Sequence, residues 1–185
     1  MRTQEELFEL EALNQATAIS WLRSQALTRD ELLTQAFQHD LHRRMYDQVW
    51  TWAGQRRIRE NNIGRENNIG AAPERIVDRW EQLLGNVAYW LDHDTYGPDE
   101  ACIRYLFEQR EIQPFHDGNS RLLRLVVNVL ADVSGVSSTG ASRYAFGRGS
   151  DPTAMRSAYL SAIVDARAGK FESLVMFSRL GSKDP

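Results

Sequence analysis

The chain has 185 residues, with 22 basic against 25 acidic side chains for a net charge of −3, and 42% of its residues are hydrophobic. A single domain of this length buries about 70% of its unfolded surface, so a disordered or fibrous chain is excluded, and the charge argues against bulk nucleic-acid binding. One cysteine, Cys102, excludes an internal disulfide and a cysteine-based zinc site, and its apolar neighbours predict a packed thiol.

The acidic opening, Met1 to Glu6, reads as neither a secretory signal nor an anchor, and no apolar run approaches the ~20 residues of a spanning helix. A cytoplasmic protein without a membrane partner is expected. Thr3 with Glu6, and Thr28 with Glu31, have capping-box spacing, and each opens an amphipathic helix. The first carries Leu7, Leu10 and Leu13 toward Trp21; the second runs through Leu33, Phe37, Leu41, Met45 and Val49 and stops near Gly54. Residues 56–72 lose helical periodicity and read as a loop or hairpin, in which Arg59-Glu60-Asn61-Asn62-Ile63-Gly64 recurs letter for letter as Arg65-Glu66-Asn67-Asn68-Ile69-Gly70. Such a tandem duplication is cheap in a loop.

Pro73 and Pro98 suit first helical turns, ahead of Ile76, Trp80, Leu83, Leu84 and Val87 and of Ile103, Leu106 and Phe107. A helix after Gly118 carries Leu122, Leu125, Val126, Val129 and Leu130 to Gly135. A Ser- and Gly-rich loop, 137–150, leads to a helix opened by Asp151-Pro152 and ending near Gly169, and a short last helix holds Phe171, Leu174, Val175 and Phe177. Neither loop is long enough to separate two cores, so residues 1–185 read as one all-α domain. His39 and His42 stand three apart, but with no further ligand pattern they read as core or surface histidines. Trp50, Trp52, Trp80 and Trp90 read as core.

The chemistry concentrates in Gln113-Pro114-Phe115-His116-Asp117-Gly118-Asn119-Ser120-Arg121-Leu122-Leu123-Arg124, where one helix gives way to another. Gly118, Asn119 and Ser120 offer backbone N–H groups at a helix N-terminus, which favours an anion such as phosphate. Arg121 and Arg124 share a helix face and can grip phosphate oxygens as guanidinium forks. Asp117 is a hard oxygen ligand of the kind Mg²⁺ takes beside phosphates. Together these residues describe an Mg-nucleotide site.

This segment resembles the Fic family signature, His-x-Phe-x-(Asp/Glu)-Gly-Asn-Gly-Arg-x-x-Arg, and His42-Arg43-Arg44-Met45-Tyr46, Val49-Trp50-Thr51-Trp52-Ala53-Gly54 and Asn62-Ile63-Gly64 resemble its mobile mystery protein B branch. The resemblance implies a helical bundle with a short β-hairpin flap that transfers AMP from ATP to a Tyr, Ser or Thr hydroxyl of a target protein. It makes Asp117 the Mg²⁺ ligand, Gly118, Asn119 and Ser120 the phosphate cradle, and Arg121 and Arg124 the clamp on the outer phosphates. Asn62, Ile63, Gly64, Asn68, Ile69 and Gly70 become the target-docking flap, within about 56–72.

Two positions depart from the signature. Gln113 occupies the place of the base His, and an amide has no nitrogen that takes a proton near neutrality. Positioned bases contribute roughly 10²–10⁴-fold, so transfer is expected to be weakened or lost. Ser120 replaces the second motif Gly, where the Doc branch, a kinase, carries Lys. A degenerate nucleotide- or protein-binding module is the alternative to an enzyme, with Doc-like phosphotransfer behind it; His116 is read as an exposed loop residue. The self-inhibitory Ser/Thr-x-x-x-Glu-(Gly/Asn) helix of many relatives is not visible, which points to a separate regulator or antitoxin or to no need of one.

Overall fold

The computed structural model describes residues 3–60, 70–136, 144–146 and 151–180. Both capping boxes form: Thr3 Oγ1 accepts the Glu6 N–H at 3.2 Å and Thr28 Oγ1 that of Glu31 at 3.3 Å, while each glutamate returns a bond to the threonine N–H. They open α1 (Gln4–Ser24) and the single turn α2 (Arg29–Leu32). The long second helix expected from Thr28 is broken here. Thr34 acts as a fresh N-cap, its hydroxyl accepting the Phe37 N–H at 3.1 Å, and starts α3 (Gln35–Tyr46). That helix stops well short of Gly54, because the Tyr46 carbonyl accepts from the N–H groups of Val49 and Trp50 and turns the chain.

A 3₁₀ turn at Pro73–Arg75 leads into α4 (Ile76–Asp92), which buries Ile76, Trp80, Leu83, Leu84 and Val87, the stripe its periodicity predicts. Next come α5 (Pro98–Ile112), α6 (Asn119–Val133), α7 (Pro152–Arg167) and α8 (Glu172–Arg179). The Asp151 carboxylate caps α7 by accepting the Ala154 N–H at 2.7 Å. Among the described residues there is no sheet, only an isolated antiparallel bridge between Arg56 and Phe115, so the fold is all-α.

The centre is α5, packed against α4, α6 and α8, while α3 lies between α1 and α6 and α7 leans on α8. Cys102, on α5, is wholly buried, and burial pushes its thiol up to about 12. Behind the motif, Trp80 Nε1 donates to Gln109 Oε1 (3.2 Å) and Gln109 Nε2 to Gln38 Oε1 (2.7 Å), so the buried amides of α3 and α5 satisfy each other.

The expected flap tip, residues 61–69 with Asn62, Ile63, Gly64, Asn68 and Ile69, lies outside the described residues. Its two described legs are tied to the end of α5: the Arg57 N–H donates to the Pro114 carbonyl and the Ala71 N–H to that of Ile112, both at 3.0 Å. Of the Ser- and Gly-rich loop, residues 144–146 are described. Tyr144 is buried, its N–H donating to Asn128 Oδ1 at 3.0 Å, and the Phe146 N–H donates to the Ser178 carbonyl at 3.0 Å.

Candidate functional site

α5 and α6 are consecutive helices joined by the turn 113–118. Two left-handed residues shape that turn, Gln113 at φ +51° and Gly118 at φ +77°. For Gly118 no other residue serves, since a Cβ there would stand 2.6 Å from the Tyr46 ring as well as in left-handed backbone. Gln113 has a Cβ, and its conformation is held from outside. The buried Arg57 guanidinium donates from Nε to the Gln113 carbonyl (2.6 Å) and reaches the carbonyls of Ile112 (3.2 Å), Arg59 (2.9 Å) and Ala71. One cation thus ties the base of the flap to the first motif residue, and burial lowers its pKa against the opposing pull of the Glu60 carboxylate. Gly70 packs against it: a Cβ there would meet Arg57 Nη2 at 2.9 Å.

Asn119 points inward. Its Oδ1 accepts the Phe115 N–H at 2.8 Å and its Nδ2 donates to the Phe115 carbonyl at 2.7 Å, so its amide braces the turn. The Phe115 ring is fully buried and stacks on His42, centroids 3.9 Å apart at 13°. His42 is locked on both nitrogens: Nδ1 accepts the Gly54 N–H (2.9 Å), so Nε2 carries the proton and donates to the Asp117 carbonyl (3.0 Å). His39 Nδ1 donates to the Gly54 carbonyl at 2.6 Å. The histidine pair therefore clasps Gly54 from both sides of its backbone. Gly54 is itself confined, because a Cβ would lie 2.7 Å from that of Arg43.

The remaining motif side chains part company. Arg121 faces α1: its Nη1 donates to Glu11 Oε2 at 2.7 Å, its Nη2 lies 3.7 Å from Asp117 Oδ2, and its guanidinium sits 5.1 Å above the Tyr46 ring. Glu11 is nearly buried and also accepts from Trp50 Nε1 at 2.8 Å. Trp50 stacks on Trp52, whose ring meets the exposed His116 edge-on at 5.5 Å; Trp80 alone of this set is wholly buried.

Ser120 and Arg124 instead line a cavity of about 540 Å³ bounded by α5, α6, α7 and α8. Its apolar wall includes Leu106, Leu123, Phe146, Met155, Tyr159 and Phe177, with Arg110 and Arg156 alongside. Arg124 is placed by Phe146, whose ring centre is 5.1 Å from the guanidinium carbon. The cavity volume lies in the range that holds a small ligand, and an apolar wall with a few polar groups is the usual make-up of a ligand pocket.

The start of α6 adjoins this cavity, and its N-cap Gly118 supplies no capping side chain. The Gly118 N–H itself turns to Asp117 Oδ1 at 2.6 Å, so the amides that can meet an anion begin at Asn119. The Asp117 side chain is 64% exposed. Among the described residues no three of His, Cys, Asp and Glu gather around a point.

Sequence reasoning missed Arg57, Glu11, Arg110 and the α7–α8 wall. Arg57 looks like one more arginine of the run Gln55 to Arg59, and nothing local marks it for burial.

Comparison with known proteins agrees with this architecture. No curated protein matches the chain. Similar solved structures include the N-terminal FIC domain of Bep8 from Bartonella sp. 1-1C (TM-score 0.72, 14% identity, covering 96% of this chain and 85% of that one). BepC from Bartonella tribocorum with bound AMPPNP has a TM-score of 0.70 at 13% identity, covering 100% of this chain and 90% of that one. Fic-1 from C. elegans has a TM-score of 0.62 at 21% identity, covering 96% of this chain and 49% of that one. Residues 32–131, which span α3 to α6 and the whole motif turn, match the Fic/DOC family, and the chain belongs to that family.

Proposed function

We propose that this chain binds an Mg²⁺-nucleoside triphosphate, ATP first, in the α5–α8 cavity, and that AMP transfer from it to a Tyr, Ser or Thr hydroxyl of a target protein is slow or lost. The observation that carries this reading is the placement of Ser120 and Arg124 on the wall of an apolar cavity, beside a helix start without a side-chain cap. The AMPPNP bound to the BepC relative supports the choice of ligand.

In transfer, the target oxygen attacks the α-phosphorus, the bond to the bridging oxygen of the β-phosphate breaks, and pyrophosphate leaves. Mg²⁺, held by Asp117 and phosphate oxygens, would offset charge on the phosphates. Asn119 keeps the turn in shape, Arg124 holds phosphate, and the flap base fixed by Arg57 presents the target. What position 113 lacks is a group to take the hydroxyl proton, because the Gln113 amide hydrogen-bonds without accepting a proton. Gln113 also favours the second reading, a nucleotide- or protein-binding module without turnover. A cytoplasmic location and a separate regulator or antitoxin belong to the same proposal.

The test is a square of parent, Gln113→His, Ser120→Gly and the double variant, incubated with Mg²⁺, lysate and α-labelled ATP. Gln113→His should raise labelling within the ~10²–10⁴ range of a positioned base. Gain in the double variant alone assigns part of the loss to Ser120 crowding the phosphate. A parent that labels as fast as Gln113→His refutes the account of residue 113, and label transferred from γ-labelled ATP instead would indicate Doc-like phosphotransfer.

A further inference from the structure

Arg110 lies near the C-terminal end of α5, and the turn 113–118 brings it onto the same cavity as Ser120 in the first turn of α6. It is not a loose surface cation. Its Nη1 donates to Glu111 at 2.6 Å, its guanidinium carbon stands 5.8 Å from the centre of the Tyr159 ring, and its side chain is 16% exposed. Arg167 braces the same Glu111 at 3.5 Å, and Glu111 faces a different cavity, on the α4 side of α5.

Among its described lining residues the α5–α8 cavity therefore holds Arg110, Arg124 and Arg156 and no carboxylate, in a chain whose net charge is −3. Low-dielectric walls bearing one sign of charge concentrate the opposite charge. Of the two motif arginines only Arg124 lines this wall, since Arg121 is paired with Glu11. One arginine and the helix start match a single phosphate; a fixed second guanidinium lining the same cavity gives the further phosphates a partner.

We propose that Arg110 is a phosphate-binding residue of this site and makes it select nucleoside triphosphates over monophosphates. The inference rests on the nucleotide reading above and adds a residue that the signature does not contain. Arg110 is preorganised by Glu111 and Tyr159, so little side-chain entropy is lost when its remaining N–H groups take phosphate oxygens.

Calorimetry on the full chain with Mg²⁺ and ATP, ADP, AMP or inorganic tripolyphosphate tests it, using parent, Arg110→Gln and Arg110→Lys, with melting temperatures to confirm folding. A charged hydrogen bond lost corresponds to about tenfold or more in affinity. Arg110→Gln should weaken ATP by that factor and AMP by less than about twofold, while Arg110→Lys recovers part of the loss. An unchanged ATP-to-AMP ratio in Arg110→Gln, or an AMP loss equal to the ATP loss, overturns the assignment. Arg110-dependent binding of tripolyphosphate without binding of any nucleotide refutes the nucleotide reading and leaves the phosphate contact standing; no binding of either overturns both.

Discussion

Protonating His42 should loosen the motif turn, and the size of the effect follows from its surroundings. The ring is wholly buried, accepts the Gly54 N–H on Nδ1 and donates from Nε2 to the Asp117 carbonyl, so a proton added to Nδ1 would face a donor. Burial lowers its pKa from 6.5 to about 4. A folded-state value below the unfolded one means that the unfolded chain binds the proton first, so the stability this group contributes is present above pH ~6.5 and lost as pH falls toward 4. Linkage gives a loss of about 2 kcal/mol between pH 7 and pH 5, approaching about 3 kcal/mol at lower pH. Urea unfolding of the parent and of His42→Gln at both pH values measures it, because the variant removes this titration and keeps the others. Glu108, whose carboxyl burial raises, works in the opposite direction but is common to both proteins and cancels. Equal losses of stability in parent and variant would refute the assignment of the neutral, locked ring.

Gly118→Ala should cost at least about 1–2 kcal/mol in chemical denaturation, from left-handed strain and the contact with Tyr46; an unchanged midpoint would mean the turn is shaped otherwise. Arg57→Met strands the Gln113 and Ala71 carbonyls and should cost about 2 kcal/mol or more, with faster hydrogen exchange at the Ala71 amide. A loss below about 1 kcal/mol would show that Arg57 does not hold the flap base.

The period and the caps carried most of the fold into the sequence. The apolar stripe of α4 was complete, and both capping boxes formed, because each rests on residues within a turn or two of one another. Thr34 escaped notice because it caps without a glutamate three residues on; Phe37 stands there. Arg121 and Arg124 were expected on one face, yet three residues on a helix differ by roughly 60°, enough for Arg121 to meet Glu11 while Arg124 lines the cavity. Contacts such as Glu11 with Arg121, Arg57 with Gln113 and Phe146 with Arg124 join residues far apart in the chain, and no local pattern announces them. The motif turn was legible as chemistry; the scaffolding that holds it, Arg57 and the His39–Gly54–His42 clasp, became visible only once the helices were packed.

The central claim is that phosphate lands on the first turn of α6, and amide NMR of the parent chain titrated with Mg²⁺-ATP tests it most directly. The account predicts that the Asn119, Ser120 and Arg121 amides shift together with resonances of Arg124 and Tyr159, while those near the far end of α1, such as Ser24, stay in place. Saturating Mg²⁺-ATP that leaves the Asn119–Arg121 amides unmoved would contradict it.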